Sequence, residues 1–152
     1  MGKSKPSPWD VPDKALGFKL LVTMGDVDAY QVYFAAYYRW MDLGFHLLIQ
    51  NAGMSMKDLL AAGIAMPAVH SECDYFKPVN IDQILECRVW FGSFGRSSFS
   101  VKAVFKDKDS DVVAQGEVVH VYVENGKPCR IPKWLEDICE YGNVSVGGEN
   151  HL

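Results

Sequence analysis

Two carboxylates stand two positions apart, Asp26 and Asp28, in the segment Gly25 to Asp42, GDVDAYQVYFAAYYRWMD. A strand-like stretch precedes them and an aromatic-rich helical stretch follows, so an acid sits at a helix mouth. The first N–H groups of a helix have no partner inside it, and its dipole adds about half a positive charge there, so such an end can hold an oxyanion. A carboxylate beside it can take a proton or attack an electrophilic carbon. On spacing alone Asp28 also fits a helix N-cap or a turn, and Asp26 a turn former or a support for its neighbour.

The elements that must position this turn can be read on either side of it. Phe18, Leu20, Val22 and Met24 alternate with Lys19, Leu21 and Thr23, the period of a strand with one buried face. After the turn, Phe34, Tyr37, Tyr38, Met41, Phe45, Leu48, Ile49 and Ala52 recur at three- and four-residue steps, with Arg39, Asp42, His46 and Gln50 opposite. This predicts a helix of about four turns, closed by Gly53. Ser55 and Asp58 form a capping-box pattern that opens a short second helix ending at Gly63.

Beyond it, residues 66–76, 84–91, 97–105 and 112–123 are rich in Val, Ile, Phe and Tyr and are separated by KPVN, GSFGR and KDKDSD. In the third of these, Phe99, Val101, Ala103 and Phe105 share a face opposite Ser98, Ser100 and Lys102, as in an antiparallel sheet. Asn125-Gly126 signals a tight turn, and Pro132 opens a last helix carrying Trp134, Leu135, Ile138 and Tyr141. The plan is α+β: an antiparallel sheet of about five strands wrapped around one long helix. Burying each Phe or Leu of that helix contributes roughly 1.5–3 kcal/mol, enough in sum to anchor the sheet. The expected organisation is one domain over residues 15–141, an arm over 1–14 pinned by Trp9, and a loose tail over 142–152.

Composition narrows the function. The chain has 152 residues, 49% of them hydrophobic and 22% charged, with a net charge of -4. These values fit a soluble globular protein expected in the cytoplasm, without an apolar leader or a membrane-length segment. No Lys/Arg cluster offers a nucleic-acid surface. The four cysteines, Cys73, Cys87, Cys129 and Cys139, lack CxxC or zinc-finger spacing and read as reduced, mostly buried thiols. No GxSxG, GxGxxG, P-loop or HExxH pattern is present.

The order of elements, the acidic turn and YYRWMD in the helix resemble the hotdog-fold acyl-CoA thioesterases of the 4-hydroxybenzoyl-CoA thioesterase type, over about residues 18–134. The family pattern of an acid, any residue, Asp and an aromatic helix start appears as Asp26-Val27-Asp28-Ala29-Tyr30-Gln31-Val32-Tyr33-Phe34. The segment AMPAVHSECDYFKPV, residues 65–79, looks most like the 1,4-dihydroxy-2-naphthoyl-CoA thioesterases of phylloquinone and menaquinone synthesis. The resemblance implies that Asp28 is the catalytic carboxylate and that backbone N–H groups at Tyr33 and Phe34 polarise the thioester carbonyl. It implies a homodimer or homotetramer with sites between chains, and no metal or cofactor beyond the CoA of the substrate. Here the turn is one residue shorter than the family pattern and Gln31 replaces its glycine, which bears on the identity of the oxyanion donor.

Other residues complete the candidate site. Gln31, Trp40 and His70 are candidate substrate contacts, Trp40 against an aromatic acyl group and His70 against the acyl group or Asp28. Arg96, in GSFGRSS, is the leading partner for CoA phosphate, with Lys102 and Lys77 behind it. His120 reads as structural, and His46 lies on the polar helix face, which argues against a fold-sharing hydratase. The alternatives to an aromatic acyl-CoA thioesterase are an acyl-CoA-binding module without turnover and a thioesterase acting on acyl carrier protein.

Overall fold

A computed structural model describes residue 4 and residues 6–142. The expected tail, apart from Gly142, lies outside the described residues. Strand β1 covers Leu16–Leu21, and a 3-10 turn, Met24–Asp26, follows. Two short strands, β2 (Val27–Asp28) and β3 (Gln31–Val32), pair as a hairpin before helix α1, Ala36–Asn51. Helix α2 is Met56–Ala61 and β4 is Ile64–Ala65. Long strands β5 (Ala68–Tyr75), β6 (Ile84–Phe94), β7 (Ser98–Lys106) and β8 (Val112–Val121) come next. Short strands β9 (Val123–Glu124) and β10 (Lys127–Pro128) lead to helix α3, Lys133–Tyr141.

The main sheet has five strands in the order β1-β6-β7-β8-β5, and all its pairings are antiparallel. A single large core lies between α1 and this sheet, as the alternation in β7 predicts: Phe99, Val101, Ala103 and Phe105 are all buried. The helix is 16 residues long and buries Tyr37, Trp40, Met41, Phe45, Leu48 and Ile49. Two glycines set how closely it approaches. A Cβ on Gly116 of β8 would lie 2.5 Å from the Met41 sulfur and 2.8 Å from the Glu72 carbonyl oxygen. One on Gly44 of α1 would lie 3.1 Å from a Val89 methyl. Both contacts are tighter than ordinary carbon packing at about 3.5–4.0 Å.

The ends of the elements differ from the sequence pattern in three places. The first strand stops at Leu21, and Met24 is 76% exposed, because Asp26 caps the turn that follows. Its Oδ2 accepts from the Thr23 N–H at 2.9 Å and from the Thr23 hydroxyl at 3.0 Å. Helix α1 begins after Phe34, which is 66% exposed and not on the packed face, because a Tyr33–Ala36 turn comes first. The last long strand breaks at Tyr122, and Val123 joins a separate ribbon ordered β10-β9-β4. Asn125 and Gly126, with φ of 48° and 81°, make the turn of that ribbon. The cap on α2 is as read, with the Ser55 hydroxyl accepting from the Asp58 N–H at 3.2 Å.

The N-terminal arm lies on the other side of the sheet. Trp9 meets Trp90 edge to face at 6.5 Å, and Lys102 sits 4.7 Å over its ring. Gln115, 1% exposed, accepts from the Trp9 N–H at 2.8 Å and donates to the Ser7 carbonyl at 3.1 Å. The arm thereby satisfies both ends of a buried amide that would otherwise be costly. All four cysteines are free, Cys87 and Cys139 fully buried. Among the described residues, no helix is long and apolar enough to cross a membrane.

Candidate active site

The segment that carries the acids is held from both ends by backbone bonds. Val22 N–H donates to Gln83 at 2.9 Å, Val32 N–H to Val79 at 2.8 Å, and Ile81 N–H to Tyr30 at 2.9 Å. Asp26 is 8% exposed, its carboxylate committed to the turn it caps. Asp28 points from β2 opposite Gln31 in β3 and is exposed. The structure thus separates two neighbouring acids into a bonded support and a carboxylate without a hydrogen bond or ion pair among the described residues. Asp28 is not a helix cap, since the N-cap of α1 is Ala35.

The structure removes one expected oxyanion donor. Tyr33 N–H donates to the Asp26 carbonyl at 3.1 Å, closing the loop over the hairpin, and so is not available to a substrate. Phe34 and Ala35 are the central residues of the Tyr33–Ala36 turn, whose bond runs from Ala36 N–H to the Tyr33 carbonyl at 3.0 Å. Neither Phe34 N–H nor Ala35 N–H has a backbone acceptor among the described residues. The shortened turn does not need the missing glycine. Gln31 lies in β3, and the positive φ that closes the hairpin falls on Ala29, at 57°.

A cleft of about 330 Å³ opens beside Phe34, lined by Val32, Tyr37, Tyr75, Phe76, Lys77 and Val79 among others. That volume lies within the range of small-molecule sites, roughly 300–1,000 Å³. Tyr37 and Tyr75 meet at 5.5 Å within it, and the Tyr75 hydroxyl donates to the Phe34 carbonyl at 2.9 Å. Cys73, near both tyrosines, is no nucleophile at neutral pH, because burial pushes its thiol up to about 11. Tyr75 and Phe76 went unnoticed as site residues in the sequence, although they fall in the 65–79 segment; only the β5–β8 pairing brings them to the helix start.

The remaining candidates are dispersed. Trp40 is buried against Tyr37 and Phe105, at 5.2 and 6.0 Å, and lines a different cleft, of about 380 Å³, with Asp26, Arg39, Asp42 and His46. His70 is exposed on β5 beside a bulge, opposite Val119, and no hydrogen bond joins it to Asp28 among the described residues. Arg96 is exposed at the tip between β6 and β7, without an ion-pair partner among the described residues. The weaker basic candidates are engaged: Lys77 pairs with Asp107 at 2.6 Å and Lys102 with Glu117 at 3.7 Å. His120 is structural as expected, with Nδ1 2.9 Å from the Met66 carbonyl and its ring stacked on Phe99 at 5.3 Å. Facing a carbonyl, Nδ1 carries the proton of the neutral ring.

Comparison with known proteins places this geometry. Residues 22–139 match the family described as the thioesterase-like superfamily. A 1,4-dihydroxy-2-naphthoyl-CoA hydrolase of Prochlorococcus marinus (strain NATL2A) is 25% identical, covering 90% of this chain and 94% of its own. The crystal structure of a 1,4-dihydroxy-2-naphthoyl-CoA thioesterase from Synechocystis superposes with a TM-score of 0.77 at 19% identity, over 84% of this chain and 98% of that one. That of a gentisyl-coenzyme A thioesterase gives 0.74 at 24% identity, over 81% and 98%. With the matched region spanning the acidic loop, the central helix and four of the five strands of the main sheet, the chain belongs to the thioesterase-like superfamily and has its hotdog fold.

Proposed function

We propose that this thioester hydrolase acts on an aromatic acyl-CoA, with Asp28 as the reacting carboxylate and the Phe34 N–H, aided by Ala35, as oxyanion donor. The observation that carries this reading is the cleft walled by Phe34, Tyr37, Tyr75 and Phe76, which adjoins the turn whose Phe34 and Ala35 N–H groups have no backbone acceptor among the described residues. Aromatic rings stack edge to face at 4.5–7 Å, so such walls favour a planar aryl group over a flexible chain. The relatives named above as acting on dihydroxynaphthoyl-CoA and gentisyl-CoA support the same substrate class.

The carbonyl carbon would be attacked by Asp28 itself or by a water that Asp28 deprotonates. Negative charge then grows on the thioester oxygen, where fixed N–H donors stabilise it; losing one such donor costs about 10²–10³ in rate. The reaction calls on no metal and no cofactor. Arg96, exposed and unpaired among the described residues, is the proposed contact for CoA phosphate. Two copies would join at the β5 edge, where residues 68–72 are exposed and Val69 is 60% so, since an uncovered strand edge is a template for pairing. His70 lies on that edge, where it would reach a substrate held between subunits.

Thiol release from benzoyl-type and from straight-chain acyl-CoAs, measured side by side on the purified full chain, tests the reading. The expected kcat/KM is at least about tenfold higher for the aromatic esters, the discrimination of a pocket difference near 1.4 kcal/mol. Equal values would sink the aromatic assignment, and no release from either series would sink the acyl-CoA reading.

A further inference from the structure

The two N–H groups assigned to the oxyanion belong to two successive peptide planes, and each plane is held through its carbonyl. In the first, the Tyr33 carbonyl accepts from Ala36 N–H at 3.0 Å, inside the turn itself. In the second, the Phe34 carbonyl accepts from the Tyr75 hydroxyl at 2.9 Å, from a residue 41 positions away on another element. A trans peptide is planar, with its C=O and N–H pointing in opposite directions. Fixing the Phe34 carbonyl therefore fixes the direction of the Ala35 N–H, and through the shared Cα it limits how the Phe34 N–H can swing.

We propose that Tyr75 is a positioning residue for the oxyanion site: its hydroxyl pins the Phe34 carbonyl and so pre-orients the Ala35 and Phe34 N–H groups. This rests on the functional reading above. Tyr75 is itself well placed to hold rather than follow. Its ring packs on buried Tyr37 at 5.5 Å, and Tyr37 in turn packs on buried Phe105 at 5.2 Å, so the hydroxyl is referenced to the core. Its strand is registered against β8, Tyr75 opposite Ala114, with Phe76 N–H bonded to the Val113 carbonyl at 2.9 Å just beyond. Tyr75 is 44% exposed and Phe34 66%, and nothing besides Tyr75 anchors the Phe34 carbonyl among the described residues. Burial and the neighbouring Cys73 thiol raise the Tyr75 pKa above the ordinary phenol range, so the hydroxyl stays a donor at working pH.

Tyr75→Phe removes the bond and keeps the ring in the cleft. Steady-state thiol release from an aromatic acyl-CoA should show kcat down about tenfold, short of the 10²–10³ for outright loss of a donor, with KM within twofold. In the same variant the backbone order parameter of Ala35 should fall from the rigid range near 0.85 towards that of a mobile loop, while those of β5 hold. Tyr75→Leu, which removes the ring as well, should raise KM in addition. A purely structural role predicts instead a lower Tm with kcat preserved. Unchanged kcat overturns the inference, as does a fall in kcat with Ala35 still rigid. A parent protein without turnover overturns the functional reading, and this inference with it; an active parent matched in kcat by Tyr75→Phe overturns the role of Tyr75 alone.

Discussion

Two regions of the molecule are built to opposite specifications. Between α1 and the sheet, side chains interlock so closely that Gly116 has no room for a methyl group and Gly44 takes one only if Val89 gives way. Around residues 24–34 the elements are two or three residues long, and there and along the β5 edge Met24, Tyr30, Phe34, Val69 and Tyr75 are exposed. The first region fixes where the helix starts. The second presents, among the described residues, an Asp28 carboxylate without a hydrogen bond on β2 and Phe34 and Ala35 N–H groups without a backbone acceptor before α1, groups that folding alone would tend to leave satisfied. The difference is sharpest between Asp26 and Asp28: two positions apart, one is consumed by structure and the other makes no hydrogen bond among the described residues.

The contrast can be broken from the packed side. Gly116→Ala forces Met41 and the Glu72 carbonyl apart, and overpacking of this kind costs about 1–3 kcal/mol. In a chain of this length that lowers Tm by about 3–10 °C, measurable by calorimetry. An unchanged Tm would mean that the helix is less tightly seated than the distances say.

A smaller effect sharpens the contrast with pH. Burial lowers the pKa of His120 from the ordinary value of 6.5, against the pull of Met66 and Asp42. The unfolded chain therefore binds this proton more readily than the folded one, so the stability is whole above pH 6.5 and declines as pH falls below it. Urea unfolding at pH 7.5, 6.5 and 5.5 should show that decline in the parent and a shallower one in His120→Asn. Identical slopes would remove His120 as its source.

The packed region was the more legible of the two in the sequence. Apolar residues recur at a fixed period over 37–49 and 99–105, so local spacing identifies the helix and the central strand, although Ser100 and Val104 on the second face of that strand are buried too. Ser55 and Asp58 are likewise a local signal, and the cap forms as read. The loop was readable only in part. That Tyr33 N–H is taken depends on Asp26 offering its carbonyl seven residues back, and that Tyr75 reaches Phe34 depends on the register of β5 on β8. Neither relation has a period. At Gln31 too the pairing decides: the positive φ falls at Ala29, and Gln31 lies in β3 opposite Asp28. Trp40, read as a substrate contact from its type, lines the other cleft and packs on Tyr37 and Phe105, a placement set by how α1 seats on the sheet and not by local spacing.

The central claim is that Asp28 is left free in order to react. Its side chain is exposed and makes no hydrogen bond among the described residues, so Asp28→Asn removes charge without removing a structural contact. The decisive measurement is kcat for aromatic acyl-CoA hydrolysis by Asp28→Asn beside the parent, with Tm recorded on both. The account predicts an unchanged Tm and a kcat lower by about 10²–10⁴, the usual contribution of a positioned base. A variant that folds as the parent does and turns over at the parent's rate would contradict it.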